Sequence, residues 1–195
     1  MGPNNSLPDW WNVDIRPFAK VDEIADVTQP WPWRELEYVH GEHFLEHLSP
    51  GDAVRFLVEA AAALRPDGRI RLSTPGLEWV WRTQFDPSLE GEAGIQGVYG
   101  VNRTFHGWGH KFIYSRQMLT HMLEGCGFTA LTFHRYGESD HPALRGMERH
   151  ADYGEADGWP SVWIVEAVPD PAVPLSDELA QEVDVNFDRY VRAGH

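Results

Sequence analysis

Cysteine is almost absent from this chain: Cys126 is the only one among 195 residues. A single thiol excludes an intrachain disulfide and any zinc site built on paired cysteines. Cys126 falls in the apolar phase of a helical pattern, which reads as a buried thiol. Basic residues are also few. Sixteen Lys and Arg stand against 30 Asp and Glu, a formal charge of −14. That balance disfavours phosphate backbones and anionic lipid, so neither nucleic acid nor a membrane surface is expected as a partner. No apolar run approaches a membrane span. Residues 1–11 lack the basic and apolar regions of a signal peptide, which points to the cytoplasm. There is no internal repeat and no low-complexity segment.

The chain does have an ordinary apolar fraction, 42%, and a length that suits one domain over residues 1–169, followed by a linker and tail over 170–195. Nine tryptophans are many. A large share of the aromatics falls between Trp79 and Tyr114, outside the regular patterns, and this stretch is expected to wall a ligand site.

Residues 36–75 are the most informative. A β-prone run, 36–40, leads into Gly41-Glu42-His43-Phe44-Leu45-Glu46-His47-Leu48. Ser49 then offers an N-cap, Pro50 suits the first helical position, and Asp52 three residues on completes a variant capping box. Val54, Leu57, Val58, Ala61 and Leu64 recur on one helical face, predicting a helix over 50–64. Asp67 and Gly68 turn the chain into a strand over 69–73. Strand, helix and strand in that order form a βαβ unit, and its polar turn lies at the carboxyl end of the first strand, where open α/β sheets bind ligands.

Short strands are predicted at 11–15, ending near Asp14, and at 23–27, ending near Asp26. Residues 76–112 read as irregular apart from a short helix over Leu77–Gln84. Ser115 caps a clear helix carrying Met118, Leu119, Met122, Leu123 and Cys126, which Gly127 stops. Strands follow at 128–134 and 162–168, expected as an antiparallel pair at the sheet edge. Residues 175–193 form an acidic amphipathic helix with Leu179, Val183, Phe187 and Tyr190 on one side, expected to dock on the domain or, in a homodimer, on a second copy.

These motifs resemble the class I S-adenosylmethionine-dependent methyltransferases. The family carries a Glu-His-x-Leu-Glu-His-Leu run after a strand and a Leu-Lys-Pro-Gly-Gly turn before the next; here the turn is Leu64-Arg65-Pro66-Asp67-Gly68. Trp10-Trp11-Asn12-Val13-Asp14, Gly109-His110-Lys111-Phe112-Ile113-Tyr114, Tyr136-Gly137-Glu138-Ser139 and Pro142-Ala143-Leu144-Arg145-Gly146 are similar to small bacterial members often encoded near surface-polysaccharide genes. The resemblance spans residues 2–168. It departs at the start: the family's first strand and most of its glycine-rich turn have no counterpart, with Gly2 as the one remnant.

The resemblance implies a three-layer α/β sandwich, Rossmann-like, with a mostly parallel sheet and its first strand missing. It implies S-adenosylmethionine as cofactor, held by Gly2, Asp14, Ile15, Asp26 and Glu42. Asp14 would meet the ribose hydroxyls and Asp26 the adenine amino group. His110, His43 and His47 are the candidates for taking a proton from the acceptor, an O or N of a small molecule or sugar. Tyr114, Glu138 and Arg145 would shape the acceptor side. No metal is expected. His43-Phe44-Leu45-Glu46-His47 does match the His-x-x-Glu-His pattern of inverted zinc proteases, but that pattern needs a continuous helix, and the helix begins only after Ser49. The alternative function is a non-catalytic scaffold or binding protein that has lost the cofactor motif.

Overall fold

The computed structural model describes residues 6–173 and 178–193. Gly2 therefore lies outside the described residues. The core of the molecule is a four-stranded sheet in the order β3-β4-β8-β5, formed by β3 (Leu36–Glu42), β4 (Leu64–Pro75), β8 (Val162–Pro169) and β5 (Phe128–His134). Two short strands, β1 (Val13–Asp14) and β2 (Glu23–Ile24), pair in parallel with each other in a separate ribbon.

The βαβ unit forms as its sequence predicts. β3 and β4 are parallel, and α1 (Pro50–Ala63) connects them. Ser49 accepts a hydrogen bond from the Asp52 amide at 3.2 Å, which satisfies one of the orphan donors of the first turn. The register runs from Leu36 opposite Leu64 directly to Tyr38 opposite Arg69. The Arg65-Pro66-Asp67-Gly68 turn is thus bulged out of the ladder.

The sheet is mixed, not mostly parallel. β8 runs antiparallel to both β4 and β5. The two late strands do pair antiparallel, but β8 lies inside the sheet and only β5 reaches its edge. Between them, β6 (Glu155–Ala156) and β7 (Trp159–Pro160) form a small hairpin.

Alternation along the strands separates two faces. Val39, Ile70, Leu72, Trp163, Val165 and Ala167 join the main core together with Val54, Leu57 and Ala60 of α1. α4 (Arg116–Gly125) adds Leu119, Met122 and Leu123; Ser115 caps it by accepting from the Met118 amide at 3.1 Å. Cys126 is buried in the same core. On the opposite face Arg71 and Glu166 point away from the helices. That face carries a second cluster of Leu7, Leu144 and Met147, with Trp10 and Tyr38 against it. Among the described residues no α-helix contributes to this second cluster, so irregular chain takes the place of the expected second helical layer.

Two further helices precede α4. α2 (Leu77–Gln84) has the bounds predicted for it. α3 (Gly91–His106) replaces the irregular chain expected there, and none of its residues is buried. Tail residues 175–177 lie outside the described residues. α5 (Glu178–Phe187) buries Ala180 and Val183, packs on α1, and pairs Asp184 with Arg55 at 3.0 Å; Tyr190, expected on the docked side, is exposed.

Candidate functional site

The turn after β3 builds the site. His43 adopts a left-handed backbone, φ 43°, and its amide donates to the Ser73 carbonyl at 2.9 Å. This bend ends the β3–β4 ladder and starts a single helical turn over Leu45–His47. Glu46 points inward, with its side chain fully buried. One of its oxygens, Oε2, accepts from the Thr74 hydroxyl at 3.0 Å. The other, Oε1, lies 3.1 Å from His43 Nδ1 yet has no hydrogen-bond partner. Burial would raise the Glu46 carboxyl pKa, but the neighbouring His43 ring outweighs it and leaves the value below the usual range.

The Glu46 backbone anchors a second segment. Its carbonyl accepts from the Lys111 amide at 2.7 Å and the Phe112 amide at 3.3 Å. These bonds bring His110 against His47, with ring centroids 5.0 Å apart in an edge-on arrangement. His110 Nδ1 lies 2.7 Å from the Thr104 carbonyl. A carbonyl only accepts, so Nδ1 carries the proton and Nε2 keeps a lone pair while the ring is neutral. Burial lowers the His47 pKa and His110 adds to that effect, whereas Glu46 and the Gly109 carbonyl oppose it. One donor atom from each of Glu46, His47 and His110 falls within 4.8 Å of the others.

The structure therefore brings all three candidate histidines to the carboxyl edge of the parallel β3–β4 pair. It also brings in two residues that are not among the candidates: Glu46, weighed in sequence only within the His-x-x-Glu-His pattern and set aside with it, and His150. His150 stacks on His43 with centroids 4.0 Å apart and arrives from a segment that carries no local signal.

The acidic candidates divide. Asp14 has its side chain only 4% exposed, and Oδ1 accepts from the Arg16 amide at 2.9 Å and lies 3.3 Å from Arg16 Nε. Burial would raise its pKa, but hydrogen bonds, those of Arg16 among them, hold it below the usual range. Ile15 beside it is 63% exposed, and Trp11 and Ile24 are exposed as well. Asp26 caps its own turn: Oδ1 accepts from the Thr28 hydroxyl at 2.7 Å and the Thr28 amide at 3.0 Å. Glu42 is committed to the fold. Its Oε1 accepts from the amides of Arg149 at 2.5 Å and His150 at 3.0 Å, which ties the irregular cover to the end of β3.

Of the residues expected to shape the acceptor side, Tyr114 lies beneath this turn and Glu138 and Arg145 lie apart from it. Tyr114 is fully buried in the core, with its hydroxyl 3.4 Å from the Leu45 carbonyl. Burial, and secondarily the Glu46 charge, push that phenol's pKa far up. Glu138 and Arg145 line a shallow depression with His134, Gly137, Ser139 and Asp140, which includes none of the three histidines.

No family model and no curated protein matches this sequence. Solved structures do show similarity in fold. The methyltransferase SibL, S-adenosylmethionine-dependent and in its apo form, aligns over 76% of this chain and 35% of its own at 18% identity and a TM-score of 0.47. Human N-acetylserotonin methyltransferase in complex with S-adenosylmethionine aligns over 76% of this chain and 33% of its own, at 14% identity and a TM-score of 0.45. A possible exported protein of Bordetella parapertussis aligns over 75% and 43%, at 14% identity and a TM-score of 0.48. This chain thus spans less than half of each of these proteins, and likeness at this level assigns no activity to it. No helix of the described residues is long and apolar enough to cross a membrane.

Proposed function

We propose that this chain serves S-adenosylmethionine-dependent methyl transfer to an O or N of a small molecule or sugar. The observation that supports this reading most is the meeting of His43, Glu46, His47 and His110 at the carboxyl edge of the parallel pair β3–β4. In a βαβ unit that edge is where ligands bind.

Of the described residues assigned to the cofactor, Asp14 and Ile15 fit best. A buried carboxylate at the end of β1 suits hydroxyl donors, and an exposed apolar side chain beside it suits a flat ring. Asp14 caps its own turn as Asp26 does, but it alone of the two is buried at a strand end; Glu42 holds the cover segment, so neither Asp26 nor Glu42 is given a cofactor role. The cofactor supplies an electrophilic methyl group on a sulfonium. The chain supplies the acceptor pole. A neutral imidazole takes the acceptor's proton, and the buried Glu46 carboxylate stabilises the imidazolium that results. A preorganised, partly buried site makes that charge pairing stronger than it would be in water.

The test is calorimetry with S-adenosylhomocysteine. Wild-type chain should bind it, and Asp14→Ala should weaken binding by roughly 1–3 kcal/mol, about five- to a hundredfold. With an acceptor in hand, His110→Asn should lower turnover by roughly 10²–10⁴ with cofactor affinity unchanged. Absence of binding by the wild type would overturn the proposal in favour of a scaffold protein.

A further inference from the structure

We infer that Glu46, His47 and His110 form a site for one divalent first-row transition-metal ion. One donor atom from each lies within 4.8 Å of the others. Donors on a common ion at about 2.1 Å stand roughly 3–4 Å apart. His47 and His110 have half-buried side chains, and their rings must turn to bring the three donors to that spacing.

Three independent features point to a cation. The first is electrostatic. Glu46 is a fully buried carboxylate with one oxygen, Oε1, that accepts no hydrogen bond. A buried charge left in that state is costly, and a bound cation removes the cost. The second is the state of the imidazoles. A metal-binding histidine donates its other ring N–H to a carbonyl or carboxylate, which fixes the tautomer. His110 does this through Nδ1 to the Thr104 carbonyl at 2.7 Å, which leaves Nε2 as the donor to a metal. The third is the surround. Thr74 holds Glu46 Oε2 at 3.0 Å, the kind of outer partner that orients a ligating carboxylate.

The donor set selects the ion. Two imidazoles and one carboxylate suit Mn, Fe, Co, Ni or Zn in the divalent state; all-oxygen ions such as Mg and Ca are disfavoured, and the set has no thiolate for softer metals. Three protein ligands leave open positions for an oxygen ligand. The inference goes beyond methyl transfer and stands without it.

The test uses the full chain stripped of metal with a chelator and then titrated with Co²⁺, followed by visible absorption and calorimetry. One equivalent should bind, with the absorption bands of nitrogen- and oxygen-ligated cobalt. Glu46→Gln, His47→Ala and His110→Ala should each weaken binding by at least about tenfold, since loss of even an outer partner costs that much. His121→Ala, an exposed histidine on α4, should change nothing. Glu46→Gln perturbs a buried position, so His110→Ala, which alters a surface turn, keeps the test decisive if the former fails to fold. No uptake by the wild type, or uptake indifferent to His47 and His110, overturns the site. Cobalt uptake without binding of S-adenosylhomocysteine would overturn the methyl-transfer reading and leave the metal site standing.

Discussion

Replacing Arg71 should reveal how the second face of the sheet is held. Arg71 is fully buried on β4, and its Nε donates to Glu148 Oε1 at 2.9 Å. Its Nη1 donates to Glu166 Oε1, and Glu166 Oε2 lies 3.4 Å from His134 Nε2. Glu148 Oε2 accepts in turn from the Gly137 amide at 3.2 Å. One guanidinium thus serves two buried carboxylates, one on the neighbouring strand and one on the irregular cover. Arg71→Met keeps the volume and removes the cation that hydrogen-bonds to both acids. Breaking a buried pair in this way costs about 3–5 kcal/mol, because the remaining charges lose their partner. Against a typical stability of about 5–15 kcal/mol, that is a large fraction. With a urea m-value of about 2–3 kcal/mol/M, the midpoint should fall by about 1–2.5 M at pH 7. The matched variant Arg71→Met, Glu148→Leu, Glu166→Leu should recover most of the loss, since an apolar replacement of the whole group is often neutral. A single variant that loses under about 1 kcal/mol, or a triple variant less stable than the single one, would refute the reasoning.

Two further outcomes follow from local geometry. Ser49→Ala removes the acceptor for the Asp52 amide at the start of α1 and should cost about 1 kcal/mol, read as a fall in Tm of about 2–4 °C. His40, packed beside Trp10 on the second face, has its pKa lowered to about 4 by burial; the Arg71 charge adds to the lowering and Glu42 opposes it. Its contribution is fully present above the unfolded value of about 6.5 and is lost as pH falls from there towards 4, about 3 kcal/mol in all. Urea titrations from pH 7.5 to 4 should show that loss in the wild type and not in His40→Gln, and parallel profiles would refute it.

The parts of the fold that were legible in the sequence are those written locally. α1 could be placed because Ser49, Pro50 and Asp52 mark its start and its apolar residues share one face. α4 could be placed because Ser115 and Gly127 bracket it, and Gly127 has the left-handed φ of 84° that a stopping glycine needs. α3 was missed for a physical reason. Gly91, Gly94, Gly97 and Gly100 each lower helix propensity by about 1 kcal/mol relative to alanine, so the segment reads as irregular. Three of these glycines answer to packing: a Cβ at Gly94 would meet the Leu89 carbonyl at 2.5 Å, and at α2 one at Gly97 would meet the Gln84 carbonyl at 3.1 Å and one at Gly100 the Gln84 side chain at 2.5 Å. The latter two let α3 lie close to the end of α2. The antiparallel pairing of β8 with β5 was legible from the short segment between them, but its place beside β4 had no local signal, because an apolar strand buried on both faces does not say which neighbours it has.

The site divides along the same line. Its first half is local: the left-handed bend at His43 and the single turn after it place Glu46 and His47 within a few residues of the end of β3, and the Glu-His-x-Leu-Glu-His motif shows this in sequence. Its second half is tertiary. His110 reaches His47 because the Lys111 and Phe112 amides bond to the Glu46 carbonyl, a contact across more than sixty residues made by backbone, which no side-chain pattern records. His150 reaches His43 because Glu42 holds the Arg149 and His150 amides. Glu42 therefore acts on the site from outside it. A carboxylate marked by the motif as a ligand group holds the cover segment and thereby the ring stacked on His43. The division also says where function is sensitive to distant change. A substitution that loosens the chain after α3 would move His110 and leave the β3 turn intact, whereas one that loosens the cover over the second face would move His150 first.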